Sequence, residues 1–226
     1  MTEPTGGRAL ARHIDISCVQ AHHTRADVER LAATARRHEF VSAHVLPAWL
    51  GVLCELLDGS DTLAGAPVGF PSGGATTRTK LAEAEELLAA GVQELDVVVA
   101  IGRLRSGELD YVRDELAAVV RLVDGAVPLR AIIEVGHLDA DAVRAASRCV
   151  VDAGVPWVKT GTGWSGAPTT VEHIRLIADE VGDRALIKAA GGVRGVATIE
   201  AMRALGVRRF GMNIEAAVAV VAEAGE

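Results

Sequence analysis

Short apolar runs recur along almost the whole chain, and each is followed by a longer stretch in which apolar residues return at helical spacing. The runs centre on His13–Ser17, Val41–Leu46, Pro67–Phe70, Glu94–Val99, Leu129–Val135, Trp157–Thr160, Ala185–Ala189 and Arg208–Gly211. They are too short for helices and several are rich in β-branched residues, which assigns them as strands. Thr77–Ala90 shows the other pattern. Leu81, Ala84, Leu87 and Leu88 make an apolar stripe there, and Lys80, Glu83, Glu85 and Glu86 are predicted on a wet face. Arg25–His38, Leu109–Val123, Asp139–Asp152 and Val171–Val181 read as helices in the same way.

A local echo supports this alternation. Ala90-Gly91-Val92, Ala153-Gly154-Val155 and Leu205-Gly206-Val207 each close a helix shortly before a strand. Glycine at such a position takes a left-handed conformation that other residues adopt at a cost. Eight βα units, repeating at roughly 20–35 residues, predict an α/β fold of one closed parallel (β/α)8 TIM barrel. An open doubly wound sheet is the alternative that the local pattern leaves open. One domain over residues 1–226 is expected, with loose ends at about 1–8 and 223–226.

Composition narrows the function classes. A net charge of −7 without any Lys/Arg cluster argues against nucleic acid or an anionic membrane surface as partner. No run approaches the length of a membrane span, and the N-terminus lacks a basic-then-apolar signal pattern. Cys18, Cys54 and Cys149 are odd in number and form no CxxC pair, so reduced thiols and a cytoplasmic setting are expected.

Chemistry enters through charges in the wrong place. In a parallel barrel the reactive residues gather at the C-terminal ends of the strands. Asp96 lies inside Glu94–Val99, Lys159 ends the Trp157 run, and Lys188 ends Ala185-Leu186-Ile187. The chain has only one further lysine, Lys80, so two of its three lysines sit at neighbouring strand ends. A free lysine has a pKa of about 10.4, leaving a tiny neutral fraction near pH 7. Burial and a nearby cation both favour the neutral amine, which is the form that attacks a carbonyl to make an imine. Two lysines and an aspartate therefore suit Schiff-base carbon chemistry, whereas any one of them alone would read as a structural charge.

Glycine-rich loops follow the same strands. Lys159 runs into Thr160-Gly161-Thr162-Gly163, Lys188 into Ala189-Ala190-Gly191-Gly192-Val193-Arg194, and the last strand into Gly211-Met212-Asn213. Exposed amides in such loops, with Arg194 beside them, suit an anion such as a phosphate, although each loop alone reads as a tight turn. His44, Glu134 and His137 are the conceivable metal ligands, but no HxH or HExxH spacing supports them, and neither metal nor other cofactor is expected. His44 reads better as a substrate contact or proton carrier.

These motifs resemble the deoxyribose-phosphate aldolase family, which are class I, Schiff-base aldolases. The likeness rests on Val158-Lys159-Thr160-Gly161-Thr162-Gly163, Ile187–Arg194, Glu94-Leu95-Asp96-Val97-Val98, Val68-Gly69-Phe70-Pro71, Ile132-Ile133-Glu134 and Asp15-Ile16-Ser17, and spans roughly Ile14 to Gly211. It implies Lys159 as imine former, Lys188 as the neighbour that lowers its pKa, and Asp96 in proton relay. It also implies substrate contacts from Asp15, Ser17, His44, Thr160, Thr162, Gly163, Gly191, Gly192, Arg194, Gly211 and Asn213. Family members join acetaldehyde to glyceraldehyde 3-phosphate, or reverse this, so a small aldehyde or sugar phosphate is the implied partner. Barrels of this kind often pair, which leaves a homodimer open. Departures fall in the substrate shell. His44 stands where the family has cysteine, Gly161 where it has serine, and Asn213-Ile214 where it has a serine pair. Trp164 adds an aromatic ring near the mouth. An altered, unphosphorylated carbonyl substrate, or a barrel that binds sugar phosphate without turnover, are the alternatives these departures suggest.

Overall fold

The computed structural model describes residues 6–225. Eight parallel strands close in sequence order: β1 Ile14–Cys18, β2 Ser42–Val45, β3 Leu63–Val68, β4 Glu94–Val98, β5 Leu129–Ile132, β6 Trp157–Lys159, β7 Leu186–Ala190 and β8 Val207–Asn213, with β8 pairing back onto β1. Helix α1 (Gly7–Ala11) precedes the barrel. The others follow the strands in turn: α2 Arg25–His38, α3 Leu50–Leu57, α4 Thr77–Ala89, α5 Ile101–Arg105, α6 Leu109–Val123, α7 Ala140–Asp152, α8 Val171–Val181, α9 Val196–Ala204 and α10 Ile214–Gly225. The closed barrel, not the open sheet, is therefore the fold. None of the described helices is long and apolar enough to cross a membrane.

The layers follow from residue type. Strand residues such as Ile16, Val45, Val97, Ile132 and Val158 are fully buried and meet helix residues such as Leu31, Leu53, Leu116 and Ile177. Each such side chain contributes roughly 1.5–3 kcal/mol on leaving water. Asp139 caps α7 by accepting from Ala142 N–H at 2.9 Å, and Thr170 caps α8 through His173 N–H at 3.2 Å. Gly91, Gly154 and Gly206 all take positive φ at the helix ends, as the echo requires.

Of the ends expected to be loose, residues 7 and 8 belong to α1 and residues 223–225 to α10, and Gly7 sits against the Val221 carbonyl of α10. Residues 1–5 and 226 lie outside the described residues. One expectation is corrected. Lys80 is not on the wet face of α4. It is fully buried, donating at 2.7 Å to both the Val98 carbonyl and Glu115 of α6, while Gly69 packs on its stem. The strand runs shift by a few residues, most at β3, which begins four residues before Pro67. Its Leu63-Ala64-Gly65-Ala66 start lacks bulk for a reason that lies in the site.

Candidate active site

Strand register brings the charged residues together. Lys159 and Lys188 are direct partners across β6 and β7, Asp96 and Arg130 across β4 and β5, and Lys188 and Arg209 across β7 and β8. An irregularity between Ile187 and Lys188 shifts the β7–β8 register at this point, the kind of local slip that re-aims a side chain. Gly65 lies in register between His44 and Glu94. A Cβ there would fall 2.5 Å from His44 Nδ1, so the ring occupies the space that a side chain on β3 would fill. Through that gap His44 Nε2 reaches Glu94 at 3.3 Å and the Ser42 hydroxyl at 3.1 Å.

Asp96 Oδ2 is the hub. It accepts from Lys159 Nζ at 2.7 Å and Lys188 Nζ at 3.4 Å, while its other oxygen accepts from Arg130 at 3.1 Å. Lys188 also pairs with Asp15, Arg130 pairs with Glu94 at 2.6 Å, and Arg209 donates to Asp15 and, at 3.1 Å, to Glu94. Arg130 lies over the Trp157 ring at 5.5 Å. The motif reading gave no role to Arg130, Arg209 or Glu94, the last quoted only as the opening residue of its strand motif; a charge inside the apolar run Leu129–Val135 was the available signal for Arg130.

Electrostatics sort these groups. Burial pushes the Lys188 ammonium down to about 8, and Lys159 and Arg130 add to that against the pull of Asp15 and Asp96. Burial alone would raise Asp96, but Lys159, Lys188 and Arg130 outweigh it and hold the carboxyl well below its ordinary value. Asp15 is held low in the same way by Lys188 and Arg209. Glu94 lies at about 2, where His44 and the arginines overcome burial. His44 is pushed down by burial and by Lys188, so it is neutral, and the carboxylate at Nε2 favours a proton on that nitrogen. Nδ1 is then an acceptor, 3.7 Å from Asp96 Oδ2.

Above this cluster opens a cavity of about 600 Å³. Asp15, Ser17, His44, Asp96, Lys159, Thr162, Gly163, Lys188, Gly191, Gly192, Arg194, Gly211 and Asn213 line it; Glu94, Arg130 and Arg209 do not. Trp164 bridges the mouth, donating to the Val19 carbonyl at 3.1 Å and meeting Phe70 edge-on at 6.0 Å. Thr160, expected among the substrate contacts, is instead fully buried. Its hydroxyl donates to the Ala190 carbonyl and accepts from Ala190 N–H, both at 2.8 Å, holding β6 to β7. The conceivable metal trio does not assemble: Glu134 accepts from the Thr162 amide at 3.1 Å and from its hydroxyl, and His137 is exposed. Asp15, His44 and Glu94 do bring donor atoms within 4.8 Å of one another, the spacing of a cation site. Lys188 and Arg209 bond the same carboxylates, so the cations filling that spacing are the protein's own.

A deoxyribose-phosphate aldolase of Sinorhizobium medicae is 50% identical over 215 residues, covering 95% of this chain and 86% of the relative. The chain belongs to the deoxyribose-phosphate aldolase family. The Klebsiella pneumoniae aldolase is 46% identical over 95% of the chain and 87% of its own length. A solved deoxyribose phosphate aldolase from Aeropyrum pernix, described as tetrameric, superposes with a TM-score of 0.87 at 26% identity, covering 96% of this chain and 91% of that one. No family model matches the chain. Membership makes the protein a class I aldolase, a carbon–carbon lyase, as the lysine motifs implied. Two departures from the aldolase motifs now have local causes. A Cβ on Gly161 would lie 2.9 Å from Glu134 Oε1 and 3.3 Å from the Ala190 carbonyl, so a serine there would have to displace the Glu134 carboxylate. His44 is accommodated because β3 offers glycine opposite it.

Proposed function

We propose that the chain cleaves and re-forms 2-deoxyribose 5-phosphate through an imine on Lys159, with acetaldehyde and glyceraldehyde 3-phosphate as the halves. The observation that carries this reading is the single oxygen of Asp96 shared by two lysine amines beneath an open cavity. Lys159 has 13% of its side chain exposed against 1% for Lys188, so it is the amine a carbonyl carbon can reach. Neutral Lys159 adds to the aldehyde carbon and water leaves, giving an iminium that Asp96 stabilises as a carboxylate. The C2–C3 bond then breaks, its electrons pass to the iminium to make an enamine, and the C3 hydroxyl gives up its proton. Protonation of the enamine carbon and hydrolysis release acetaldehyde and regenerate the amine. Asp96, touching both amines, carries protons between them, and His44 Nδ1 accepts from a substrate hydroxyl. Asp15 and Ser17 lie beside them. Gly163, Gly191, Gly192, Gly211, Arg194 and Asn213 take the far end of the substrate.

Borohydride treatment with acetaldehyde, followed by intact-protein mass spectrometry, tests this. A reduced adduct is expected on the wild type and not on Lys159→Ala. An adduct retained by that variant, or none on the wild type, overturns the assignment.

A second reading, that the physiological substrate is unphosphorylated, has its own support. Asn213 Oδ1 already accepts from Ala216 N–H at 2.8 Å at the start of α10, and Glu215 projects beside it, paired with Arg30 at 2.8 Å. A phosphate dianion arriving there meets a carboxylate. Comparing kcat/KM for 2-deoxyribose and its 5-phosphate in wild type and Glu215→Ser decides it: this reading requires the variant to gain on the phosphate alone. A cytosolic setting belongs to the proposal and rests on three free thiols. Self-association does too, by analogy with the tetrameric Aeropyrum pernix relative.

A further inference from the structure

Beneath the residues that line the cavity, Glu94, Arg130 and Arg209 form a second tier that does not touch it. Around the lysine pair, β1 contributes Asp15, β2 the neutral His44, β4 Glu94 and Asp96, β5 Arg130, β6 Lys159, β7 Lys188 and β8 Arg209. β3 contributes Gly65 and Pro67 at the matching register and no charge. Glu134, beyond β5, bonds Thr162 rather than the lysines. Among these groups four side chains can be cationic and three are carboxylates. With both lysines protonated, a buried cluster carries one surplus positive charge. Guanidinium groups do not give up a proton in proteins, so only a lysine can discharge the surplus.

We infer that Arg130 and Glu94 are positioning residues that set the pH at which the lysine pair yields a neutral amine, by fixing the charge balance beneath it. Geometry makes the two a matched lever. Arg130 sits 2.6 Å from Glu94 and 3.1 Å from Asp96, and both it and Glu94 are 1% exposed, so water screens neither. Neither lines the cavity, so neither contacts substrate. Arg130 also holds the outer oxygen of Asp96, which leaves Oδ2 turned to the two amines.

Removing one charge from each side must act in opposite directions. Arg130→Gln brings the doubly protonated cluster to neutrality, so losing a lysine proton becomes harder and the profile moves alkaline. Glu94→Gln leaves two surplus charges, and the profile moves acid. Neighbouring charges of this kind shift a pKa by about 1–3 units, so each midpoint is expected to move by about one unit or more. The double variant, Glu94→Gln with Arg130→Gln, restores the balance and returns the midpoint towards the wild type.

The inference rests on the imine reading, and the measurement separates the two. The initial rate of cyanoborohydride-trapped adduct formation with acetaldehyde is followed against pH by intact mass. Opposite displacements of the single variants with recovery in the double support the charge lever. Profiles that stay put, or move the same way, overturn it while leaving the imine intact. Absence of any wild-type adduct overturns the imine reading and this inference with it. Should Arg130→Gln fail to fold, the near-isosteric Glu94→Gln still decides: an acid shift supports the lever, and none refutes it.

Discussion

Replacing Gly65 with alanine adds one methyl group and strikes the most crowded point of the site. The new Cβ would fall 2.5 Å from His44 Nδ1 and 2.6 Å from Nε2, against about 3.5–4.0 Å for comfortable contact. The ring must therefore retreat by roughly 1 Å. It is 4% exposed and bonded to Ser42 at 3.1 Å and Glu94 at 3.3 Å, so retreat stretches both contacts. Overpacking of this kind costs about 1–3 kcal/mol, and two weakened buried hydrogen bonds add about 0.5–1.5 kcal/mol each. The sum is roughly 2–6 kcal/mol, worth on the order of 10 °C in Tm for a domain of this length. Urea unfolding followed by circular dichroism measures it directly. His44→Ala combined with Gly65→Ala is expected to be more stable than Gly65→Ala alone, since the methyl then enters vacated space. A Gly65→Ala variant within 0.5 kcal/mol of wild type, or a double variant no better than the single, would refute the claim that β3 is hollowed to seat the imidazole.

Three further outcomes follow from the same geometry. Lys80→Met strands Glu115 in the core and is expected to lose about 3–5 kcal/mol in denaturant unfolding, part of it recovered by Glu115→Leu in the same chain; equal losses in both variants would contradict this. Lys188 is pushed from 10.5 to about 8 in the folded chain, so between those values unfolding takes up a proton. Its contribution to stability is therefore lowest below pH 8 and rises towards pH 10.5, by on the order of 3 kcal/mol, and Lys188→Met should flatten that rise in parallel unfolding curves. Gly161→Ser, which restores the family residue, should displace Glu134 from Thr162 and lower Tm by a few degrees, an effect of about 1–2 kcal/mol; an unchanged Tm would mean that the loop yields freely.

What the chain reveals before folding depends on how local the cause is. The strands and the longer helices declare themselves, because period and capping act within a few residues. Helices α3, α9 and α10 do not. Leu50–Leu57 is too uniformly apolar, and Val196–Ala204 and Ile214–Gly225 too rich in alanine and valine, to show two faces. The start of β3 is hidden because Gly65 answers to a histidine on the neighbouring strand. Lys159, Lys188 and Asp96 stand out since a charge at a strand end has few structural uses. Glu94, Arg130 and Arg209 share that oddity, but their meaning depends on register between strands far apart in sequence, which only the closed barrel supplies. Thr160 shows the reverse, a motif residue whose hydroxyl faces a neighbouring strand.

Seven of the eight strands each lend at least one member to the charged cluster, and the last of them, β8, must lie against the first before Arg209 can meet Asp15. No fragment, half-barrel or unfinished nascent chain can hold this set of charges in balance. Catalytic competence should thus appear late and abruptly during refolding, after helical signal has largely returned, because the ring is chemically silent until its final seam is sewn.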